Sequence, residues 1–274
     1  MPAINTNTAA NAAVRYLNIN AAQESSSLSK LSSGSRITSA SDDAAGLAIS
    51  TRISSDVTTL QQAATNASQA TAILQTADGG ASNISDILAR MKSLASESAS
   101  GTVTDSSRAY IQSEFSQLNA QIDSIATGTR YSGQSLLDGS SVFSSGVSVL
   151  VGSDGSDTID IQLTSLTASS LAVSTLDVST QSGATSALDA IDTAIDTVSA
   201  ARASIGAQES RFNFSSDSIS TQTQNLQAAN SAIEDVDIAS EQSKLSSAEV
   251  KTQAAVSALA AANQMPQYLL QLLN

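Results

Sequence analysis

An apolar repeat of seven residues constrains this chain more than any other feature. From Ile53, the positions Ile53, Val57, Leu60, Ala64, Ala67, Thr71 and Leu74 follow one another in alternating steps of four and three. That spacing sets every member on one stripe of a helix and drives the stripe against another helix, as in a coiled coil. The pattern returns at Ile111, Phe115, Leu118, Ile122 and Ile125. It returns again at Leu188, Ile191, Ile195, Val198, Arg202 and Ile205, interrupted by Arg202, and in more polar form from Phe212 to Ile233. The only prolines are Pro2 and Pro266, so nothing between them stops a helix by removing an amide donor. At ~1.5 Å per residue, Asp43–Thr76 spans roughly 50 Å and an unbroken Phe212–Asn263 about 78 Å. The fold class expected is mainly α: long antiparallel helices in a coiled-coil-like rod bundle.

The chain ends follow the same grammar more thinly. Val14, Ala21 and Leu28 form one column, and Leu17, Glu24 and Leu31 the other. Near the end, Leu245, Thr252 and Leu259 accompany Ala248, Ala255, Ala262 and Leu269. Similar patterns at both ends predict that the two terminal helices lie antiparallel. At ~25 cal/mol per Å² an alanine-rich seam is marginal alone, so these helices are expected to order fully only against other chains.

Between Gly128 and Gly183 the helical period fails. "GVSVLVGSDGSDTIDIQL" alternates apolar and polar residues around Asp154-Gly155. It reads as a β-hairpin, Val147–Val151 against Thr158–Leu163. "LLDGS" at Leu136–Ser140 is a further turn signal. A small central β-hairpin region, at about 128–182, is expected as an outer excursion; deleting roughly Ser140–Thr180 is expected to leave polymerisation largely intact, because the heptads lie elsewhere. Gly79 and Gly80 in "ADGGAS" are expected to end or kink one helix before Ile84 starts the next. A phosphate loop there lacks its Gly-Lys-Ser/Thr ending and a preceding strand.

Composition narrows the function. The chain has no Cys and no His, which removes thiol nucleophiles, imidazole bases and the commonest transition-metal ligands; no cofactor and no enzyme activity are expected. Its 25 acids against 12 bases give a net charge of −13, which repels phosphate backbones. No apolar run approaches the roughly 18 residues of a membrane span, and the first residues do not read as a conventional secretory signal. Neither nucleic acid nor membrane is expected as a partner. Ser and Thr stand far above ordinary usage.

The most suggestive acids are Asp42 and Asp43 in "SSGSRITSASDDAAGLAIS". A catalytic pair needs a pocket and a second functional group, and neither is suggested nearby. A helix joint explains them better: serines cap free amides, and acids oppose the dipole of a helix N-terminus. Ser41, Asp42, Asp43, Ala44, Ala45 and Gly46 form this expected joint, the small residues letting another backbone come close.

Several stretches together resemble the bacterial flagellins. "INTNTAA" at Ile4–Ala10, "LSSGSRITSASDDAAGLAIS" from Leu31, "SGQSLLDG" at Ser132–Gly139, "IGAQESR" at Ile205–Arg211 and "ANQMPQYLLQLLN" from Ala262 fall in the family's order. Ala232 stands where the family usually carries arginine, and 141–182 has no clear match. The resemblance implies a structural subunit that polymerises into the flagellar filament for swimming. It would be exported unfolded by the flagellar type III system and end up secreted, in the extracellular filament. Residues 1–40 with 240–274 would form the inner core, with Val14, Leu17, Leu28, Leu31, Leu259, Leu269, Leu270, Leu272 and Leu273 as assembly residues. Residues 41–239 would build the surrounding wall. Partners would be further copies of the chain, related flagellins, an export chaperone, and cap and junction proteins. In some flagellins a surface including positions equivalent to Leu88, Arg90 and Glu114 meets Toll-like receptor five. Lys92 and Ser93 depart from that pattern, which implies weakened recognition. Some flagellins are O-glycosylated, which makes Ser140, Ser141, Ser144, Ser145, Thr164, Thr167, Ser169 and Ser170 candidates. Competing readings are a hook–filament junction protein and, in a different class, a helical-bundle signalling module.

Overall fold

The computed structural model describes residues 6–272, with side chains described through Met265. Helix α1 is Thr8–Ser33, α2 Ala44–Ala99 and α3 Asp105–Gly128. Strands β1 (Arg130–Tyr131) and β2 (Gln134–Ser135), the short helix α4 (Val142–Ser145), and strands β3 (Val147–Leu150) and β4 (Thr158–Ile161) follow. Helix α5 is Gln181–Glu234 and α6 Ile238–Leu272. The chain divides into two compact units: the described residues through Ser55 with those from Asn225 onward, and Asp56–Gln224. The expected boundaries at 40 and 240 both fall inside the first of these.

In the Asp56–Gln224 unit the seven-residue repeat is real, but one of its two columns lies one residue away from the expected one. Leu60, Ala67 and Leu74 are buried as expected, and their column continues through Ala81, Leu88 and Ala95. Its companion is Ala63, Ala70, Ala77, Ile84 and Met91, not Ala64 and Thr71, which are half-buried. Helix α5 repeats the offset. Ile191, Val198, Ile205, Phe212 and Ile219 are buried together with Ala187, Ala194 and Ala201. Arg202 therefore does not interrupt the seam. It flanks it, its Nε donating to Asp78 Oδ1 of α2 at 2.8 Å. That bond and the Lys92–Asp192 ion pair set α2 and α5 antiparallel. Arg90 donates to Glu114 Oε1 at 2.6 Å across to α3.

Helix α2 runs through Gly79-Gly80 for 56 residues, contrary to the expected break. Gly80 is buried because a partner comes close: a Cβ there would collide with Thr129 and sit 2.9 Å from Leu137 Cδ1. Packing holds the helix over a pair of weak helix formers.

The hairpin forms with Val147 opposite Ile161 and Leu150 opposite Thr158. The region around it is packed into the unit rather than standing off it as an outer excursion. Leu163, Leu166, Leu171, Val173 and Val178 are buried in the core of this unit. Between β4 and α5 the chain lies as a strap whose backbone groups are held by helix side chains. Gln208 of α5 accepts from the Gln162 amide and donates to its carbonyl, both at 3.0 Å. From α3, Asp123 accepts from the Ala168 amide at 2.8 Å and Gln112 from the Val178 amide at 2.7 Å. Asn119 donates to the Val173 carbonyl at 3.1 Å. Buried backbone polar groups need partners, and here helix side chains take the place of a neighbouring strand.

Among the described residues, no helix is long and apolar enough to cross a membrane.

Candidate functional site

The terminal unit is built on α1 against α6, which lie antiparallel as expected. Asn7 caps α1 by accepting from the Ala10 amide at 3.0 Å, and its amide donates to the Ala262 carbonyl at 2.8 Å. Farther along, Thr252 donates to Glu24 at 3.3 Å and Ser27 to Glu241 at 2.7 Å. Glu241 is only 4% exposed. Hydrogen bonds from Lys244 and then Ser27, with Lys30 adding positive charge, hold its carboxyl below the usual glutamate range.

The terminal seam divides into an inner and an outer side. Leu17, Glu24, Leu31, Thr252 and Leu259 are half-buried, and Leu245, Ala248, Ala255 and Ala262 are buried. The Val14–Ala21–Leu28 column turns outward, with Leu28 58% exposed, and Ile19, on the other side of α1, is 56% exposed. On α6, Val250 is 69% and Val256 47% exposed. Most of the exposed large apolar side chains among the described residues belong to this unit. Charge is divided too. Eight of the 25 acids and six of the 12 bases lie here, a net charge of −2, leaving −11 on Asp56–Gln224. The side chains of Leu269, Leu270, Leu272 and Leu273 lie outside the described residues.

At the joint the chemistry resembles the expected one but is distributed differently. The cap is Asp43 rather than a serine: it precedes α2, and its Oδ1 accepts from the Gly46 amide at 2.8 Å. Asp42 turns back to the preceding loop, one oxygen accepting from the Thr38 amide, the Thr38 hydroxyl and the Ser39 amide. The bonds from Thr38 lead in keeping its carboxyl below the usual range. Ser41 shares a 2.8 Å hydrogen bond with Ser39. Ala44 and Ala45 are exposed. Gly46 is buried, and a Cβ there would strike Asp43's own carboxylate and the Ile37 side chain, so the close approach is local. Gly34, with φ 73°, ends α1 in the left-handed region that glycine favours.

Beyond Gly34 the chain crosses to the α5–α6 link. Val236 donates to the Gly34 carbonyl at 3.0 Å and the Arg36 amide to the Glu234 carbonyl at 2.6 Å. The Arg36 guanidinium grips the Ile233 carbonyl with Nε and Nη2. Glu234 accepts from Ser50 of α2 at 2.6 Å and from Asn230 at 3.2 Å. Sequence reasoning missed this cross-link, although a break between α5 and α6 is signalled by "EDVD". Asp237 caps α6, accepting from the Ala239 and Ser240 amides.

Two expected surface sets need correction. Leu88 is fully buried in the α2 seam and cannot face a receptor; only the Arg90–Glu114 pair is exposed. Ser140, Ser145, Thr164, Ser169 and Ser170 are exposed, and Ser144 and Thr167 are half-buried. The Ser141 hydroxyl is buried without a partner, so it is not accessible for glycosylation in this fold. Among the described residues no group of three or more His, Cys, Asp or Glu side chains is placed to hold a metal ion.

Two paired helical ends, tied together near the joint and carrying outward apolar residues, define a helical protein with an apolar surface on its terminal unit. Residues 4–142 match the bacterial flagellin N-terminal helical region and residues 188–273 the bacterial flagellin C-terminal helical region. The chain is 37% identical to a flagellin of Halalkalibacterium halodurans over 273 residues, covering 99% of each. It is 35% identical to a flagellin of Listeria monocytogenes, again with 99% of each covered. The crystal structure of Bacillus cereus flagellin superposes with a TM-score of 0.52 at 28% identity, covering 61% of this chain and 94% of that one. The chain belongs to the bacterial flagellins, the structural subunits of the flagellar filament.

Proposed function

We propose that this flagellin assembles by burying the outward apolar stripe of its terminal unit between copies of itself. The chain is a structural subunit of the filament that drives swimming, and its principal partner is a further copy of itself. The observation that carries this mechanism is the exposure of Val14, Leu28 and Val250 on helices otherwise paired with each other. Left in water such a surface drives association; buried between subunits each side chain contributes about 1.5–3 kcal/mol. The division of charge supports the same reading. A unit carrying −2 can be crowded against its copies, whereas one carrying −11 repels them and suits larger spacing.

In this proposal residues 1–40 and 240–274 form the inner wall of the tube, and 41–239 surround it. The chain is exported unfolded through the flagellar type III channel and acts outside the cell. The absence of proline between Pro2 and Pro266 supports prompt folding after delivery, since slow X–Pro isomerisation is avoided. Before assembly an export chaperone covers the leucine-rich tail. Cap and junction proteins meet the growing polymer, which also admits related flagellins.

The experiment is a double substitution, Leu28→Asp with Val250→Asp. Both side chains are exposed in the free chain, so helix content by circular dichroism should be unchanged. In the polymer each would bury an unpaired carboxylate at a cost of several kcal/mol. Seeded mixtures should then yield no sedimenting polymer. Wild-type yield would overturn the assignment of this surface.

A further inference from the structure

Aspartate is followed by glycine at three places: Asp78-Gly79, Asp138-Gly139 and Asp154-Gly155. In such a pair the unhindered glycine nitrogen can attack the aspartate side-chain carboxyl. A bond forms between that nitrogen and Cγ, and the Cγ–OH bond breaks. The amide proton and the hydroxyl leave together as one water, giving a five-membered succinimide. Water then adds back to either ring carbonyl. Opening at Cγ restores aspartate, and opening at the main-chain carbonyl leaves the backbone running through the side chain, as isoaspartate. The sequence requires no oxidant and no co-reactant other than solvent water. It does require a mobile carboxyl and an amide nitrogen free to approach it.

The fold treats the three pairs differently. Asp78 lies within helix α2, where the Gly79 amide is committed to the helix, and its carboxylate is gripped by Arg202 at 2.8 and 3.3 Å. The Asp138 carboxylate is turned toward Ser140, accepting from its amide at 2.9 Å and its hydroxyl at 2.7 Å. Gly139 is fixed at φ 79° with the Ser165 side chain against it. Asp154 and Gly155 are exposed at the tip between β3 and β4. Among the described residues the Asp154 carboxylate has no hydrogen-bond partner, and no atom lies within 4 Å of where a Gly155 Cβ would stand. The turn is closed by the Asp157 amide donating to the Asp154 carbonyl at 3.0 Å; that bond leaves the Gly155 nitrogen unused.

We propose that Asp154-Gly155 is a site of spontaneous backbone isomerisation through a succinimide, and that the fold confines this chemistry to that one of its three Asp-Gly pairs. The product adds a methylene to the backbone within the turn. It thereby displaces the Val151 amide from the Asp157 carbonyl, now 2.8 Å away, at the first rung of the hairpin. It also presents an isoaspartyl carboxyl, the substrate class of protein carboxyl methylation. The mark accumulates with the age of the molecule.

The test compares folded and unfolded full-length protein held for weeks in warm neutral buffer. Isoaspartate is then located by electron-transfer fragmentation of peptides and quantified by enzymatic methylation of the isoaspartyl carboxyl. In folded protein the level at Asp154 should exceed those at Asp78 and Asp138 severalfold, and in urea the three should converge. Gly155→Ala, which meets no atom and requires no unusual backbone angle, should remove the signal at Asp154 with circular dichroism unchanged. Equal or greater isoaspartate at Asp78 or Asp138 in the folded chain would overturn the proposal. So would a ranking unchanged by urea, or a signal at Asp154 that survives Gly155→Ala.

Discussion

Gly79 and Gly80 are neighbours in one helix, and alanine at the two positions should act in opposite directions. Both substitutions relieve the chain-entropy penalty of glycine inside a helix, worth about 0.8–1 kcal/mol. At Gly79 nothing beyond the helix itself lies within 4 Å of the new methyl, so the whole gain should appear. At Gly80 the methyl would sit 2.9 Å from Leu137 Cδ1 and from Thr129 Cγ2, well inside the ~3.5–4.0 Å optimum. Neither neighbour yields easily. Leu137 is buried, and Thr129 is held by its hydroxyl donating to the Ile125 carbonyl at 2.7 Å. Overpacking of this kind costs about 1–3 kcal/mol, so Gly80→Ala should fall about 1–3 kcal/mol below Gly79→Ala. For a unit of this size that separates the melting temperatures by roughly 2–12 °C. Thermal denaturation followed by circular dichroism reads the difference. Equal stabilisation by both would mean that α2 is not closely approached at Gly80. Destabilisation by Gly79→Ala would mean that the helix breaks there after all.

Leu60→Ala should cost about 2–5 kcal/mol in chemical denaturation, since Leu60 is fully buried; a loss within error would place the seam elsewhere. Deleting 140–180 should unfold the Asp56–Gln224 unit, because losing Leu163, Leu166, Leu171, Val173 and Val178 alone, at about 2–5 kcal/mol each, matches or exceeds an ordinary stability of about 5–15 kcal/mol. A deletion variant with native helix content would refute the strap. Glu241 has its pKa lowered in the folded chain, so its stabilisation is complete above the ordinary glutamate value of about 4.3. That stabilisation is lost as pH falls through the lower folded value. Glu241→Gln should therefore flatten the acid limb of α1–α6 melting, and an unchanged limb would contradict this.

The helical architecture was legible because its signal is repetitive: long runs of period seven, no internal proline, and one alternating stretch around Asp154-Gly155. Register was only half legible. In α2 and α5 one column of the seam is right and the other lies one residue late: Ala63 and Ala64 are the same residue type, and in α5 the more apolar Leu188 and Ile195 draw the pattern away from the buried Ala187 and Ala194. The partner helix decides which of them is buried. The strap was invisible for a related reason. Gln112, Asn119, Asp123 and Gln208 read as solvated helix surface, and the apolar residues from Leu163 to Val178 have no period to betray them. At the joint, "SDD" announced a helix start, but which acid caps depends on where the first turn closes. The burial of Leu88 shows the limit of transferring a surface position by resemblance: its heptad, read through to 88, already assigned it to the core.

The most direct test of the account is a helical reconstruction, by electron microscopy, of filaments grown from the purified chain on seeds. It should show tubes in which α1 and α6 line the innermost wall, with Leu28 and Val250 buried against neighbouring subunits and Asp56–Gln224 farther from the axis. Tubes with those two side chains facing solvent, or with Asp56–Gln224 innermost, would contradict the account, as would a seeded preparation that forms no tubes.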